Sequence, residues 1–230
     1  MSRRAVRVTA LVVVVVLALL LIADRVGDYV AERIAADTIQ SARHLDSSPD
    51  VDIAGFPFLT QVITGKYDKI TVTADDVAVG TAALPLVLSR VQVVLHSLTV
   101  SRDFHSVHAD TADATATVSY DELGRTLGVK LGYAGDGRVR ASKTVTVAGV
   151  SARAAVTTRP VLTDGALSFT RTTVQNAGAL RSPVLAVVDR VFDVNIPLRG
   201  VQFDVRVRAL GVDEDGMTIE LTGHDVAYSR

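Results

Sequence analysis

The sequence predicts an α+β fold. A curved antiparallel β-sheet is covered by a long N-terminal amphipathic helix and by a second helix near 182–192, and a transmembrane anchor precedes the whole. Three observations predict it. Apolar and polar residues alternate through much of the chain beyond residue 50, the period of a sheet with one apolar face. Two further stretches carry helix-start signals. Residues 5–23, AVRVTALVVVVVLALLLIA, are apolar on every face.

Taken in order, Arg3, Arg4 and Arg7 precede or open that apolar run, and no acid occurs before Asp24. This is the arrangement of a signal sequence or signal anchor. Ala5–Ala23 reaches the low end of the roughly 17–25 residues that a spanning helix needs. It ends Leu21-Ile22-Ala23-Asp24, with a bulky Leu where a cleavage site wants a small residue. The reading is an uncleaved single-pass anchor over residues 1–23, with its N-terminus cytoplasmic and an extracytoplasmic domain over 24–230. Secretion to the periplasm after cleavage is the alternative.

Val26, Val30, Ile34, Thr38 and Ala42 recur every four residues, with Ile39 and Leu45 alongside. Residues 24–45 therefore read as an amphipathic helix that can cover the sheet, with Asp28, Glu32, Arg33, Asp37 and Arg43 on its wet side. Ser47-Ser48-Pro49-Asp50 ends it. Strand patterns follow. Ile70, Val72 and Ala74 alternate with threonines. Val91, Val93 and Leu95 alternate until the phase slips near Ser97, the mark of a bulge. Ala112, Ala114, Ala116 and Val118 form one face, and Val150, Ala152, Ala154 and Val156 another. Val201 to Ala209 and Met217 to Leu221 close the series. Asp-Gly pairs at 136–137, 164–165 and 215–216 signal hairpin turns. Ser119-Tyr120-Asp121-Glu122 has the capping-box pattern of a short helix to about Leu127. Ser182-Pro183 opens a helix over Val184–Phe192.

Composition excludes several functions. The basic residues of the N-terminal stretch have no acids to balance them, so the remainder is more acidic than the formal net charge of −1 for the whole chain. This is no electrostatic footprint for nucleic acid. Without cysteine there is no disulfide, thiolate metal site, Cys nucleophile or lipidated Cys. His105 and His108 are three apart in a strand context, so they point to opposite faces and make a poor metal pair. No G-x-S-x-G elbow supports a lipase triad. Asp75-Asp76 and Asp213-Glu214-Asp215 read as solvated turns at strand ends. Gly132–Gly137 reads as a hairpin tip rather than a phosphate loop. No catalytic residue, metal or cofactor is assigned, and an enzyme is not expected.

The segment that narrows the function is 51–77, VDIAGFPFLTQVITGKYDKITVTADDV. Phe56, Phe58 and Leu59 surround Pro57, and Val62 and Ile63 follow. The bland reading is a buried corner. The functional one is an apolar mouth or a membrane-contacting tip. The small-residue strand faces leave room for close helix packing or for an acyl chain.

On the V-D-I, G-F-P-F-L-T-Q and T-A-D-D-V elements, this segment resembles the actinobacterial LmeA-like phospholipid-binding family. The wider layout and the C-terminal Leu221-Thr222-Gly223-His224-Asp225-Val226 are similar to that family as well. The resemblance implies a cell-envelope protein with an elongated barrel-like or clam-like fold similar to tubular lipid-binding domains. It also implies binding of phospholipid, such as phosphatidylinositol, and a role in envelope lipid or lipoglycan metabolism.

The combined expectation is a non-catalytic phospholipid-binding protein whose apolar groove holds acyl chains. Candidate groove residues are Phe56, Pro57, Phe58, Leu59, Val62, Ile63, Val184, Leu185, Val188 and Phe192. Candidate headgroup contacts are Lys66, Lys69 and Arg199. The alternative is an envelope scaffold that binds a protein partner through its apolar motif or sheet edge.

Overall fold

The computed structural model describes residues 3–81, 84–101, 106–147, 150–163, 166–175, 196–197 and 205–229. Helix α1 spans Arg3–Arg43, one continuous helix through the apolar run and the amphipathic stretch. Strand β1 (Asp50–Ala54), helix α2 (Phe58–Thr64) and strands β2 (Lys66–Thr81), β3 (Leu84–Val100) and β4 (Ser106–Val118) follow. Helix α3 (Tyr120–Leu127) leads to β5 (Lys130–Tyr133), β6 (Val139–Val147), β7 (Val150–Thr163), β8 (Ala166–Gln175) and β9 (Ile196–Pro197). Strands β10 (Val205–Val212) and β11 (Met217–Ser229) end the chain.

The α+β reading holds, with a difference in closure. The described strands form two open antiparallel sheets rather than one closed barrel, ordered β1-β2-β3-β4-β11-β10 and β5-β6-β7-β8-β9. The predicted second helix over 182–192 lies outside the described residues.

The register of the six-stranded sheet separates its faces. Val51, Val72, Val93, Ala114, Leu221 and Val207 stand in one cross-strand row. Ile53, Ile70, Leu95 and Ala112 form the next row, and Ala74, Val91, Ala116, Ile219 and Leu210 the one on the other side. The opposite face carries Thr73, Gln92, Thr115 and Glu220.

The expected phase slip near Ser97 is present. Ser97 has φ 51° and Asp225 φ 55°. Pairing jumps there from His96↔Lys69 to Leu98↔Tyr67, and from His224↔Thr111 to Val226↔Ala109. One extra residue per strand restores the apolar side chain to the apolar face, and Leu98 and Ala109 are buried. A second slip corrects the sequence reading. Asp75 and Asp76 lie inside β2 rather than at a turn; Asp76 has φ 53°, and Asp75 Oδ1 accepts from Arg90 Nε at 2.8 Å.

Two core clusters sit at the ends of the apolar face. In one, Phe58 from α2 packs with Ala36 of α1 and with Val51 and Ile53 of β1. In the other, Tyr120 and Leu123 of α3 pack with Val118, Leu131, Val139, Ala141 and Met217. The N-cap half of the predicted capping box forms, Ser119 Oγ accepting from Glu122 N at 3.3 Å, while the Glu122 carboxylate pairs with Arg125. Tyr120 Oη donates to Asp213 O at 2.5 Å, and burial first, with the Asp213 charge second, pushes its phenol up to about 12. The turns at 134–138 and 213–216 form as expected, the latter with Asp213 Oδ1 accepting from Asp215 N and Gly216 N.

Helix α1 reverses its expected orientation. Val26, Val30 and Ile34 are 57%, 48% and 62% exposed. The side that meets β1 and α2 instead carries Asp24, Gly27, Ala31, Glu32, Ala35, Ala36 and Ile39. Small residues allow close approach, and the acids find backbone donors: Leu59 N donates to Asp24 Oδ1 at 2.8 Å and Ile53 N to Glu32 Oε1 at 3.0 Å. Among the described residues, no helix is long and apolar enough to cross a membrane. The single-pass anchor read from residues 5–23 thus gains no support from the structure.

Candidate lipid-contacting site

Helix α2 is built to present an apolar surface. Its Phe58 and Gln61, one turn apart, are 3% and 7% exposed and face inward. The residues between and after them face out: Leu59 is 36%, Val62 44% and Ile63 80% exposed, with Phe56 before the helix at 58%. A seven-residue helix is too short to hold itself in water. It is held from outside, by Asp24 on Leu59 N and by Gln61 Oε1, which accepts from Asp68 N at 3.1 Å. Gly55 makes room for that glutamine; a Cβ there would come within 2.5 Å of Gln61 Nε2. Gly65 ends the helix in the left-handed region, φ 66°, and Val100 N donates to its carbonyl at 2.8 Å.

Where α1 meets this knuckle, three buried polar atoms lack a hydrogen-bond partner: Asp24 Oδ2, Asp28 Oδ1 and Gln61 Nε2. Burial pushes the Asp28 carboxyl above the ordinary carboxylate range, and Arg25, 3.5 Å away, opposes the shift. The same Arg25 guanidinium lies 5.1 Å from the Phe56 ring centroid.

The second element of the site is the apolar face of the six-stranded sheet between the two clusters. Val91, Val93, Leu95, Ala112, Ala114, Ala116, Ile219 and Leu221 are half-buried there, whereas Val51, Ile53 and Phe58 under α1 are buried. Because alanine carries a single side-chain carbon, the three alanines of β4 run as a strip of short side chains, a trough, along the middle of this face.

The profile of the LmeA-like phospholipid-binding family matches residues 22–222. The chain belongs to the LmeA-like phospholipid-binding family. Searches of curated proteins and of solved structures return no match.

Against this family membership, the predicted groove residues separate into groups. Phe58 is a core residue. Phe56, Leu59, Val62 and Ile63 form the outward face, with Pro57 as the exposed residue that precedes α2. Lys66 and Lys69 are exposed, and Lys69, paired with His96, stands on the polar face of the sheet rather than beside the trough. Val184, Leu185, Val188, Phe192 and Arg199 lie outside the described residues, as does His105. His108 lies 3.6 Å from Asp110 and 3.5 Å from Asp225. Among the described residues no cluster of metal-ligating side chains occurs.

Sequence reasoning missed two features. Acids at 24, 28 and 32 recur every four residues, a spacing that could have revealed a polar docking face on α1. The other is an open cleft of about 720 Å³ between α3 and β5–β6, lined by Arg125, Lys130, Lys143, Ser142 and Thr144 among others. Its cations come from three successive elements, α3, β5 and β6, and no single periodicity aligns them, so no local motif announced it.

Proposed function

We propose that this member of the LmeA-like family is a non-catalytic phospholipid-binding protein of the cell envelope, held at the membrane by its N-terminal stretch. Acyl chains lie along the apolar trough of the six-stranded sheet, over Val93, Leu95, Ala112 and Ala114. The observation that carries the reading is the half-buried apolar face between the two core clusters, in a family that binds phospholipid. Each CH₂ withdrawn from water contributes about 0.8 kcal/mol, so a few carbons of one chain suffice for useful affinity. Apolar walls do not select a headgroup; polar groups at the rim do. Lys66, directly after α2, is assigned to anionic headgroups such as phosphatidylinositol at the membrane surface, and Arg199 is kept with it from its sequence position; Lys69, on the opposite face of the sheet, is not.

Membrane attachment is supported by the all-round apolar run behind Arg3, Arg4 and Arg7, and by the exposure of every described side chain from Leu11 to Ala23. The test is extraction of the purified full-length protein for lipid mass spectrometry, together with uptake of labelled phospholipid. Co-purified phospholipid and saturable uptake are expected. Absence of both overturns the reading.

A further inference from the structure

We infer that α2 and the adjoining outward stripe of α1 form a bilayer-docking surface that seats the α2 end of the trough against the headgroup layer of a phospholipid membrane. The inference deepens the proposed function and rests on its membrane reading of the N-terminal stretch.

The first ground is continuity along one helix. From Leu11 to Ile22 every large apolar side chain of α1 is 47–64% exposed, so among the described residues this stretch is apolar all round and open. A helix of that kind requires an apolar surrounding. At Asp24 the pattern changes: Asp24 is 3% exposed, and beyond it only one side of the helix remains apolar and open, through Val26, Tyr29, Val30 and Ile34.

The second ground is the level at which α2 meets α1. A Cβ on Gly27 would stand 3.6 Å from Phe58 and Leu59. Gly27 is one turn beyond Ala23, a rise of about 6 Å. Amphipathic elements that lie in the interface bury their apolar face to about 5–10 Å at the headgroup–acyl boundary. Leu59, Val62 and Ile63 thus arrive at the depth where an interfacial element works.

The third ground is chemistry. Arg25 over the Phe56 ring places a cation and an aromatic ring together at this level, and the Arg33–Tyr29 pair, 4.9 Å from guanidinium to ring centroid, follows further along the exposed stripe. Aromatic residues concentrate at the membrane–water interface, and cations there meet lipid phosphates. A second copy of the chain would cover the apolar side chains but would offer no phosphate to the cations beside them. A bilayer satisfies both kinds of group.

The chain has no cysteine, so single-cysteine variants need no altered background. Val15→Cys, Ile63→Cys and Glu220→Cys in the full chain would each carry an environment-sensitive fluorophore. They would be reconstituted in vesicles of phosphatidylcholine and phosphatidylinositol containing nitroxide lipids of graded depth. The label at 63 should be quenched by shallow nitroxides, that at 15 by deep ones, and that at 220 by neither.

Quenching at 15 without quenching at 63 overturns the docking surface and leaves the membrane reading standing. No quenching at either overturns both. Quenching at 63 by its fellow label in a dimer, without nitroxide, also overturns it. As a second measurement, Val26→Asp, on the exposed stripe of α1, should lower lipid uptake from vesicles about tenfold and leave uptake of detergent-dispersed lipid unchanged. Equal loss in both formats overturns docking.

Discussion

Asp28 shows how one residue reports on the knuckle. It lies on the inward side of α1, near Asp24 and Asp52, and burial raises its pKa despite Arg25. An acid whose folded pKa lies above its unfolded value, about 3.9, binds its proton more tightly when folded. Stability therefore falls as pH rises through the window that opens at the unfolded value, and the loss is complete above the folded one. Asp28→Asn should raise the unfolding midpoint at pH 7 and change it little at pH 3. Thermal melts across that range check it, and a lower midpoint at pH 7 would contradict the assignment. The neighbouring phenylalanines divide similarly: Phe58 is packed and Phe56 exposed, although the sequence presents them as equivalents around Pro57.

At the scale of elements, α2 depends on a glycine. Gly55 has φ 121°, and its missing Cβ leaves the space that Gln61 fills. Gly55→Ala should cost about 1–3 kcal/mol through backbone strain and displacement of Gln61. Gly132→Ala, where nothing lies within 4 Å of the added carbon, should be close to neutral. Chemical denaturation of the two variants side by side tests the contrast; equal losses would remove the argument for a Gln61 lock.

The sequence made most elements legible. The alternation over 70–74, 91–95 and 112–118 is the strand pattern that the register confirms, and the phase slip at Ser97 was visible because Leu98 breaks the odd-numbered series. The side of α1 that meets the sheet was not legible. A four-residue apolar spacing identifies a helix and an apolar stripe, but it does not say which medium the stripe faces. Here acids at the same spacing found backbone donors at β1 and α2, and alanines allowed the close approach. The site was legible in its residue types and not in its division between packed and open side chains, because α2 carries apolar residues on both of its faces.

At the scale of the whole molecule, the trough joins two separately packed ends. The α1–α2–β1 cluster closes one end and the α3 cluster the other, and β4 runs between them with alanine on its apolar face. Ala114 sits at the middle, opposite Val93 and Leu221. Ala114→Phe should fill the trough without entering either cluster. Displacing about two CH₂ groups of a bound chain, at about 0.8 kcal/mol each, lowers phospholipid affinity about tenfold. The melting midpoint should stay near that of the wild type. Unchanged uptake with unchanged stability would move the acyl chain away from this face.

Asp24, the first buried side chain of α1 among the described residues, also marks a seam. A cut after Ala23 would remove only residues whose described side chains stand open, and would leave Asp24 in place to hold Leu59 N. The new helix would begin with an acid in its first turn, where a negative charge favours the helix dipole. The part from Asp24 onward would thus keep its α2 knuckle after such a cut.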